Sequence, residues 1–277
     1  MTGNSRKRGD RGRRGVIVQE RDRQLLRELS VMRVADREQL ALAAGFHSTT
    51  RANARLLQLT RAGLLRRFFT GTSAGGKKAL YALSQSGADL VQVPSRGPRR
   101  RQDETLVADS FVQHQLAVND IYGTVKFAPI PVAGATFLRW MAFHEPLTKA
   151  SALIPDGYFE ISVPSSPESA RELRAIPMFL EVDLGHEGRS VWKAKVESYL
   201  RYAVSGVFAS QFGDAQESRF RVLAILTSER RLESLRRVTA SVTDRLFWFS
   251  TFDSLNREGF WSPVWLRPTG DAKQSLL

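Results

Sequence analysis

The chain has 277 residues, 42% of them hydrophobic, no cysteine and a formal net charge of +13. This length indicates two domains with a sizeable core, and the lack of cysteine excludes disulfides and cysteine-ligated zinc and is typical of a reducing cytoplasm. The four histidines are widely spaced, no apolar run has membrane length and the N-terminus lacks a signal-peptide pattern, so histidine-cluster metal sites, membrane spans and secretion are not expected.

The positive charge is concentrated in the first part of the chain. Residues 1–101 hold 22 Lys/Arg and 7 Asp/Glu, a net charge of +15, whereas residues 102–277 hold 19 and 21, a net charge of −2. This asymmetry is typical of a polyanion-binding domain joined to a near-neutral domain. A solubilising excess of arginine is the weaker alternative, because the excess stops where the first domain is predicted to stop.

Residues 1–20 are predicted to form a basic, disordered arm. Six Lys/Arg and one acid occur among residues 1–14, and Gly and Ser fill most of the remainder. Such an arm can follow phosphates or enter a minor groove. A terminus without any role fits the same composition equally well.

A helix-turn-helix is predicted in the first domain, residues 21–93. Asp36, with Gln39 three residues later, has the capping-box pattern of a helix start, and Ser48 or Thr49 can cap the next helix. Two short helices joined in this way resemble a helix-turn-helix. Polar side chains are left on or near the outer face of the second helix, where they can reach phosphates and base edges in a major groove: Thr50, Arg51, Asn53 and Arg55.

The segment after the second helix is predicted to be a β-hairpin wing. Residues 65–69 and 79–83 read as strands, and the glycine-containing loop between them ends in Lys77 and Lys78. These two lysines are expected to contact the DNA backbone beside the helix. A winged helix used for protein contacts is the alternative, and the charge concentration favours DNA. A short strand is also expected before the helix-turn-helix, at residues 31–34.

Two prolines and four arginines mark residues 94–102 as a basic linker. The second domain, residues 103–268, is predicted to begin with a helix over residues 104–125, and residues 269–277 form a tail. Strands and helices then alternate, which indicates an α/β sheet with helices on its faces. Strands are predicted at residues 137–140, 222–226 and 246–249.

Two stretches of the second domain display carboxylates. Asp156 follows Pro155 at the start of one predicted strand, and in the next strand Glu181 and Asp183 alternate with apolar residues, so both acids point to one face. The turn-rich segment between them, residues 163–177, fits a long hairpin connection. Without further information a solvated strand face is the favoured interpretation, because acid-x-acid patterns are common on strands.

A helical pattern follows these strands. One apolar stripe at i, i+4, i+7 and i+8 is formed by Trp192, Val196, Tyr199 and Leu200. Lys195 borders this stripe and can reach the strand acids from the helix, with Lys193 as the second choice.

The order of these motifs resembles the PD-(D/E)XK nuclease-like core and, more specifically, the replication-relaxation family of bacterial plasmids and mobile elements. A similar PDG motif and E-V-D-x-G…K-x-x-x-Y layout follow a winged helix in that family; here the acids and the lysine are Asp156, Glu181, Asp183 and Lys195. The resemblance covers roughly Arg21 to Pro268. It implies a mixed α/β fold, with an N-terminal winged helix-turn-helix domain followed by a PD-(D/E)XK-like α/β domain, and a cytoplasmic, nucleoid- or plasmid-associated protein that binds double-stranded DNA.

The resemblance also implies a metal-dependent endonuclease or nickase. Asp156, Glu181 and Asp183 would hold Mg²⁺ or Mn²⁺, and Lys195 would stabilise charge that develops on the phosphate. The chain departs from the nuclease pattern because Asp183 stands where the core motif has a lysine. The alternative is a non-catalytic winged-helix protein, either a repressor or a replication accessory or recruiting factor, with a degenerate nuclease-like domain.

Other chemistry is less compatible with the sequence. His114, in an HQLAVND run similar to the family's, is interpreted as a helix-packing residue, and nothing in the spacing requires Glu145 in a site. No P-loop of the G-x-x-x-x-G-K-[ST] form occurs, which argues against ATP-driven action, and no histidine pair stands near a tyrosine, which argues against a tyrosine relaxase. Replication or mobilisation proteins and a second copy of the chain are further expected partners.

Overall fold

A computed structural model of the protein describes residues 16–71, 75–98, 100–106, 109–149, 151–166, 169–212 and 219–277. Contacts divide the chain into two compact units, Met1–Asp109 and Ser110–Leu277. The described part consists of helices and two β-sheets, which confirms the mixed α/β class. No helix in this part is both long and apolar enough to cross a membrane. Most of the predicted basic arm, residues 1–15, lies outside the described residues.

The first unit combines short helices with a small sheet. Its helices are α1 (Glu20–Met32), α2 (Arg37–Ala43), α3 (Thr49–Arg61) and α4 (Gln85–Val91). Its strands are β1 (Ala35–Asp36), β2 (Leu65–Gly71), β3 (Lys77–Leu83) and β4 (Thr105–Leu106). The strand order is β1-β3-β2-β4, in which β2 and β3 form an antiparallel hairpin.

Local capping signals explain where α2 and α3 begin. The capping box predicted at Asp36 is confirmed, since its carboxylate accepts the Gln39 N–H at 2.9 Å and the Gln39 side chain accepts the Asp36 N–H at 3.2 Å. Ser48 is the N-cap of α3, and its hydroxyl accepts the Arg51 N–H at 3.4 Å. Each cap satisfies an N–H group that the first helical turn leaves unpaired.

Two local predictions are wrong. The strand expected at residues 31–34 is absent because α1 continues to Met32, whose side chain extends the buried face of that helix. The helix expected from residue 104 begins at Ser110, because β4 pairs in parallel with β2, Thr105 opposite Phe69. The pairing satisfies the backbone of this segment, so the first compact unit extends to Asp109.

The second unit is built on a five-stranded sheet. Its strands are β5 (Thr136–Met141), β6 (Gly157–Ser166), β7 (Ser169–Asp183), β8 (Arg221–Leu226) and β9 (Phe247–Thr251), in sequence order across the sheet. Its helices are α5 (Ser110–Phe127), α6 (Arg189–Val204), α7 (Val207–Phe212), α8 (Glu229–Ala240) and α9 (Phe252–Glu258). β5, β6 and β7 are antiparallel neighbours, whereas β7, β8 and β9 are parallel. The parallel-strand character predicted for residues 222–226 is therefore confirmed.

The two faces of this sheet belong to two different cores. Successive residues of β7 alternate between them, as strand geometry requires. Leu180 and Val182 pack with residues of α5 in one core, and Phe179 packs with Trp192 and Tyr199 of α6 in the other. Glu181 and Asp183 have the same parity as Phe179, so they point toward the α6 face.

The long connection predicted between the acidic strands is wrong. β6 continues to Ser166 and β7 begins at Ser169, so most of residues 163–177 is strand; residues 167 and 168 lie outside the described part. The paired backbones run past Ser162 opposite Ala175 and Val163 opposite Arg174. Cross-strand pairing thus overrides the local turn propensity of the prolines and serines.

Candidate functional site

The exposed face of α3 is the first candidate surface. Ala52, Leu56 and Leu59 are buried on one side of this helix, at the i, i+4 and i+7 positions of an amphipathic helix. The opposite side is open to solvent and is formed by Thr50, Arg51 and Asn53. This face therefore offers a hydroxyl, a guanidinium and an amide within about one helical turn.

Arg55 of α3 has an internal partner. Its Nε donates to Asp22 Oδ1 at 2.8 Å, its Nη2 donates to Asp22 Oδ2 and to the Ile17 carbonyl oxygen, and its Nη1 donates to Gln58 at 2.8 Å. The Asp22 side chain is 2% exposed. Burial works against its charge, but the Arg55 guanidinium and the Gln19 N–H hold the pKa of Asp22 below its ordinary value. Arg55 therefore fastens α3 to the start of α1.

Of the two lysines at the end of the hairpin loop, one is exposed and the other forms an ion pair within the first unit. Lys77, at the start of β3, is exposed. The Nζ atom of Lys78 lies 2.5 Å from Oδ2 of Asp36, the residue that caps α2. Residues 72–74 of the loop lie outside the described part. Of the cations predicted to contact DNA, Arg51 and Lys77 are exposed, while Arg55 and Lys78 form ion pairs within the first unit.

In the second unit, Asp156 lies directly before β6 and against the end of β7. Its backbone N–H donates to the Leu180 carbonyl oxygen at 3.1 Å, and its Oδ2 accepts the Val182 N–H at 2.7 Å. The side chain is 20% exposed. The carboxylate thus extends the pairing of β6 with β7 and lies beside the strand that carries Glu181 and Asp183.

Both carboxylate oxygens of Glu181 accept hydrogen bonds from side chains of α6. Its Oε2 accepts from Lys195 Nζ at 2.8 Å and its Oε1 accepts from the Tyr199 hydroxyl at 2.6 Å. Its side chain is 1% exposed. Burial raises the pKa of Glu181 to about 7, although the charge of Lys195 opposes this shift. Lys193, the second choice from sequence, is exposed on the same helix.

Lys195 lies between two carboxylates. Its Nζ contacts Glu181 and also Glu187 Oε1, at 2.7 Å. Burial works against the ammonium, but the two carboxylates hold the pKa of Lys195 above its ordinary value. The lysine is therefore charged at neutral pH and is engaged with protein groups.

Asp183 has a cationic partner from α8. Its Oδ2 accepts from Arg231 Nε at 2.8 Å, and its Oδ1 accepts the Gly185 N–H at 2.5 Å. Arg231 also donates from Nη2 to the Glu187 carbonyl oxygen at 2.5 Å. With its side chain 3% exposed, Asp183 closes the turn after β7 and ties it to α8.

His114 of α5 completes this group of residues, although its sequence context was interpreted as helix packing. Its Nε2 lies 3.0 Å from the Val182 carbonyl oxygen and 3.3 Å from Asp156 Oδ2. Both neighbours are acceptors, so Nε2 carries a proton. The contact with Asp156 raises the pKa of His114 in spite of burial. We call Asp156, Glu181 and Asp183 with these partners the carboxylate cluster.

The carboxylate cluster does not fit a three-carboxylate metal centre as it stands. Across the described residues, no group of three His, Cys, Asp or Glu side chains is arranged to hold a metal ion. Glu181 accepts from Lys195 and Tyr199, and Asp183 accepts from Arg231 and the Gly185 N–H. Magnesium requires several free oxygen ligands around one point. Here ammonium, hydroxyl, guanidinium and N–H donors occupy both oxygens of Glu181 and of Asp183.

A family model for replication-relaxation matches residues 26–213. The chain belongs to the replication-relaxation family. This confirms the resemblance drawn from the order of the motifs, and family membership suggests a role in the replication of plasmids or mobile elements. No curated protein and no solved structure gives a significant match.

The segment matched by the family model contains the exposed face of α3 and most of the carboxylate cluster. It includes α3, the strands that carry the acids and the whole of α6, and it ends before β8. Arg231 of α8, the partner of Asp183, lies beyond the matched residues. The carboxylate cluster therefore combines the matched segment with one later helix.

Sequence reasoning missed several members of the carboxylate cluster. Tyr199 had a usable signal, because it lies four residues after Lys195 and so on the same side of the helix. Glu187 and Arg231 had none, since neither belongs to a periodic pattern that points to β7. Arg231 is 48 residues from Asp183, and only the parallel pairing of β7 with β8 brings α8 to the end of β7.

Proposed function

We propose that the protein binds double-stranded DNA through α3 during the replication or relaxation of a plasmid or another mobile element. The observation that carries this proposal is the solvent-exposed face formed by Thr50, Arg51 and Asn53. An arginine can contact phosphates or pair with guanine, and an asparagine can pair with adenine, when the helix lies in a major groove.

The arrangement of the first unit supports a winged helix. α2 and α3 follow each other across a short turn, and the β2–β3 hairpin follows directly after α3. In this proposal α3 is the recognition helix and the hairpin is the wing. Lys77, exposed at the start of β3, then lies where a wing contacts the DNA backbone.

The distribution of charge supports DNA rather than a protein as the ligand of the first unit. Residues 1–101 carry a net charge of +15, whereas the remainder of the chain is nearly neutral. Binding should therefore weaken steeply with salt, with a log–log slope near −0.9 for each phosphate contacted.

For the second unit we propose a PD-(D/E)XK-like core that does not cleave DNA. The element order supports such a core: α5 and three antiparallel strands precede α6, and β8 then pairs in parallel with β7. The pairing of two of the acids supports the absence of cleavage, since Glu181 and Asp183 are buried and each is bonded to a cationic side chain. In this proposal the acids stabilise the end of the sheet.

A metal-dependent endonuclease or nickase is the second candidate. One observation favours it: Asp156, Glu181 and Lys195 are brought to the same end of β6 and β7. Nicking of plasmid DNA that needs both a divalent metal and Glu181 would separate this candidate from the first.

Binding of a fluorescein-labelled duplex, followed by anisotropy across a salt series, tests the DNA-binding proposal. We expect Arg51→Ala to weaken binding by roughly tenfold or more, as lost phosphate or base contacts do. Arg27→Ala is the control, because Arg27 is also an exposed helix arginine but lies on α1. Wild-type affinity in both Arg51→Ala and Asn53→Ala would remove α3 as the recognition helix.

A further inference from the structure

An arginine-lined groove lies at the other end of the second unit's sheet from the carboxylate cluster. It has a volume of about 980 Å³ and is bounded by β7, by the residues that enter β8 and β9, and by the last turn of α6. The carboxylate cluster lies at the carboxyl ends of β7 and β8, whereas this groove lies toward their amino ends. The two sites therefore do not overlap.

The described lining of this groove carries one sign of charge. Its residues include no aspartate or glutamate, but they include five arginines: Arg174, Arg219, Arg221, Arg245 and Arg267. Residues 102–277 as a whole carry a net charge of −2. The five arginines are therefore a local concentration of positive charge in a part of the chain that has slightly more acids than bases.

Two of these arginines are partly buried and stack on one aromatic ring. The guanidinium carbons of Arg221 and Arg267 lie 5.1 Å and 4.6 Å from the centre of the Trp248 ring. Arg221 donates a hydrogen bond to the Leu276 carbonyl oxygen. Arg267 donates to the Asp244 carbonyl oxygen at 3.1 Å. Trp248 thus holds two planar cations at the entry of β9.

Within the described part of the chain, neither Arg221 nor Arg267 forms an ion pair with a carboxylate, and the acid that acts on Arg267 from nearby is Asp244. Burial lowers the pKa of Arg221, and the charges of Arg174 and Arg267 lower it further. Burial also lowers the pKa of Arg267, although the charge of Asp244 opposes this shift. Partly buried like charges repel each other and are costly to desolvate, so an anion in the groove would stabilise the arrangement.

The chemistry of the lining identifies the class of anion. Guanidinium groups form paired hydrogen bonds to phosphate oxygens, and arginine is preferred over lysine where this geometry matters. The groove also has an apolar wall, formed by Leu200, Ala203 and Val204 of α6. A string of phosphates with sugars and bases attached matches a row of arginines beside such a wall.

We infer that this arginine groove binds the phosphodiester backbone of a nucleic acid. The inference goes beyond the proposed function, because it gives the second unit a nucleic-acid site that is separate from α3. Duplex and single-stranded DNA share this backbone chemistry, so the test includes both.

The test measures anisotropy of labelled duplex and single-stranded DNA with the full-length chain. The first variant is Arg221→Gln with Arg267→Gln. For the form of DNA that occupies the groove, we expect affinity to fall about tenfold or more. The log–log salt slope should become shallower by about 1.8 for duplex or about 1.4 for single strands, the value for two lost phosphate contacts. Arg257→Gln is the control, because this exposed arginine of α9 pairs with Asp253 away from the groove.

A second variant protects the test against misfolding. Arg174 and Arg245 are exposed, so Arg174→Glu with Arg245→Glu should keep wild-type thermal unfolding and still weaken binding by more than tenfold. Unchanged affinity and salt slope for both forms of DNA in the two variants would overturn the inference and would leave an acidic protein segment as the ligand to examine. The α3 proposal is scored separately by Arg51→Ala, so either site can fail without the other.

Discussion

The charged side chains at the two ends of the second unit's sheet differ in their partners. At the carboxyl ends of β7 and β8, Glu181 and Asp183 are buried, and each is matched by a cationic side chain from a helix. Toward the amino ends, Arg221 and Arg267 share one tryptophan and have only backbone oxygens as described partners. The acids at one end are already bonded to cationic side chains, whereas the two arginines at the other end have no ion-paired carboxylate among the described residues and can bind an anionic ligand.

α3 repeats the contrast on a single helix. Arg55 is bonded to the buried carboxylate of Asp22, whereas Arg51, one turn earlier, is exposed. The same residue type is therefore bonded inside the fold at one position and exposed to solvent at the other, where the proposed DNA contact lies. Substitutions that separate these two roles can break or sharpen the comparison.

The largest effect is expected from Lys195→Ala. This change leaves Glu181 buried with a lost partner, and removal of one partner of a buried ion pair costs about 3–5 kcal/mol. Urea unfolding of the full chain, followed in the second unit by tryptophan fluorescence, measures the loss. Lys193→Ala is the matched control on the same helix, and its effect should stay within about 0.5 kcal/mol. Equal stability of the two variants would show that the carboxylate cluster does not stabilise the fold.

A smaller loss is expected from Arg55→Ala. Asp22 would remain buried without its guanidinium partner, which costs about 2–3 kcal/mol. Arg51→Ala should change the free energy of unfolding by less than about 0.5 kcal/mol while it weakens DNA binding. Thermal unfolding and anisotropy on the two variants give both quantities. A stability loss for Arg51→Ala as large as that for Arg55→Ala would contradict the division of roles on α3.

Loss of the α3 cap should be milder. Ser48→Ala removes the side-chain acceptor of the Arg51 N–H, and loss of such a cap costs about 1 kcal/mol. Ser48→Asn restores an acceptor and should recover most of the stability in the same unfolding assay. Full stability of Ser48→Ala would mean that water replaces the cap at no cost.

The smallest effect is a pH dependence of the first unit. Because the pKa of Asp22 is lower in the folded chain than its ordinary value of 3.8, its contribution to stability is present above that value. It is lost as pH falls from there through the folded pKa. Burial of Asp22 opposes the shift, which limits its size. Acid unfolding of Asp22→Asn should lack this component, and an identical acid transition in both proteins would exclude it.

The sequence predicts the elements whose signals are local. The capping box at Asp36, the cap at Ser48 and the apolar stripe of α6 follow from the spacing of a few neighbouring residues, and the structure has all three. The same period places Lys195 beside Tyr199, and the structure brings both to Glu181. The chemical role of that lysine stays a prediction.

The remainder depends on pairing between distant segments. β7 is longer than its turn-rich sequence suggests, because its backbone pairs with β6. His114 lies 68 residues from the Val182 carbonyl oxygen that it contacts, and no local pattern records that distance. The arginine groove gathers residues from β7, β8, β9 and the segment after α9, so its charge is visible only once the sheet is assembled.

Incubation of supercoiled plasmid with the protein and Mg²⁺ or Mn²⁺, with EDTA and Glu181→Gln as controls, tests the account most directly. Glutamine preserves the shape of the side chain and removes its charge. We predict a retarded plasmid band that stays supercoiled under all conditions, since the proposal assigns the acids to stabilising the sheet and α3 to binding the DNA. Nicked or linear DNA that appears only with metal and only with Glu181 would contradict the account and establish the second unit as a nuclease.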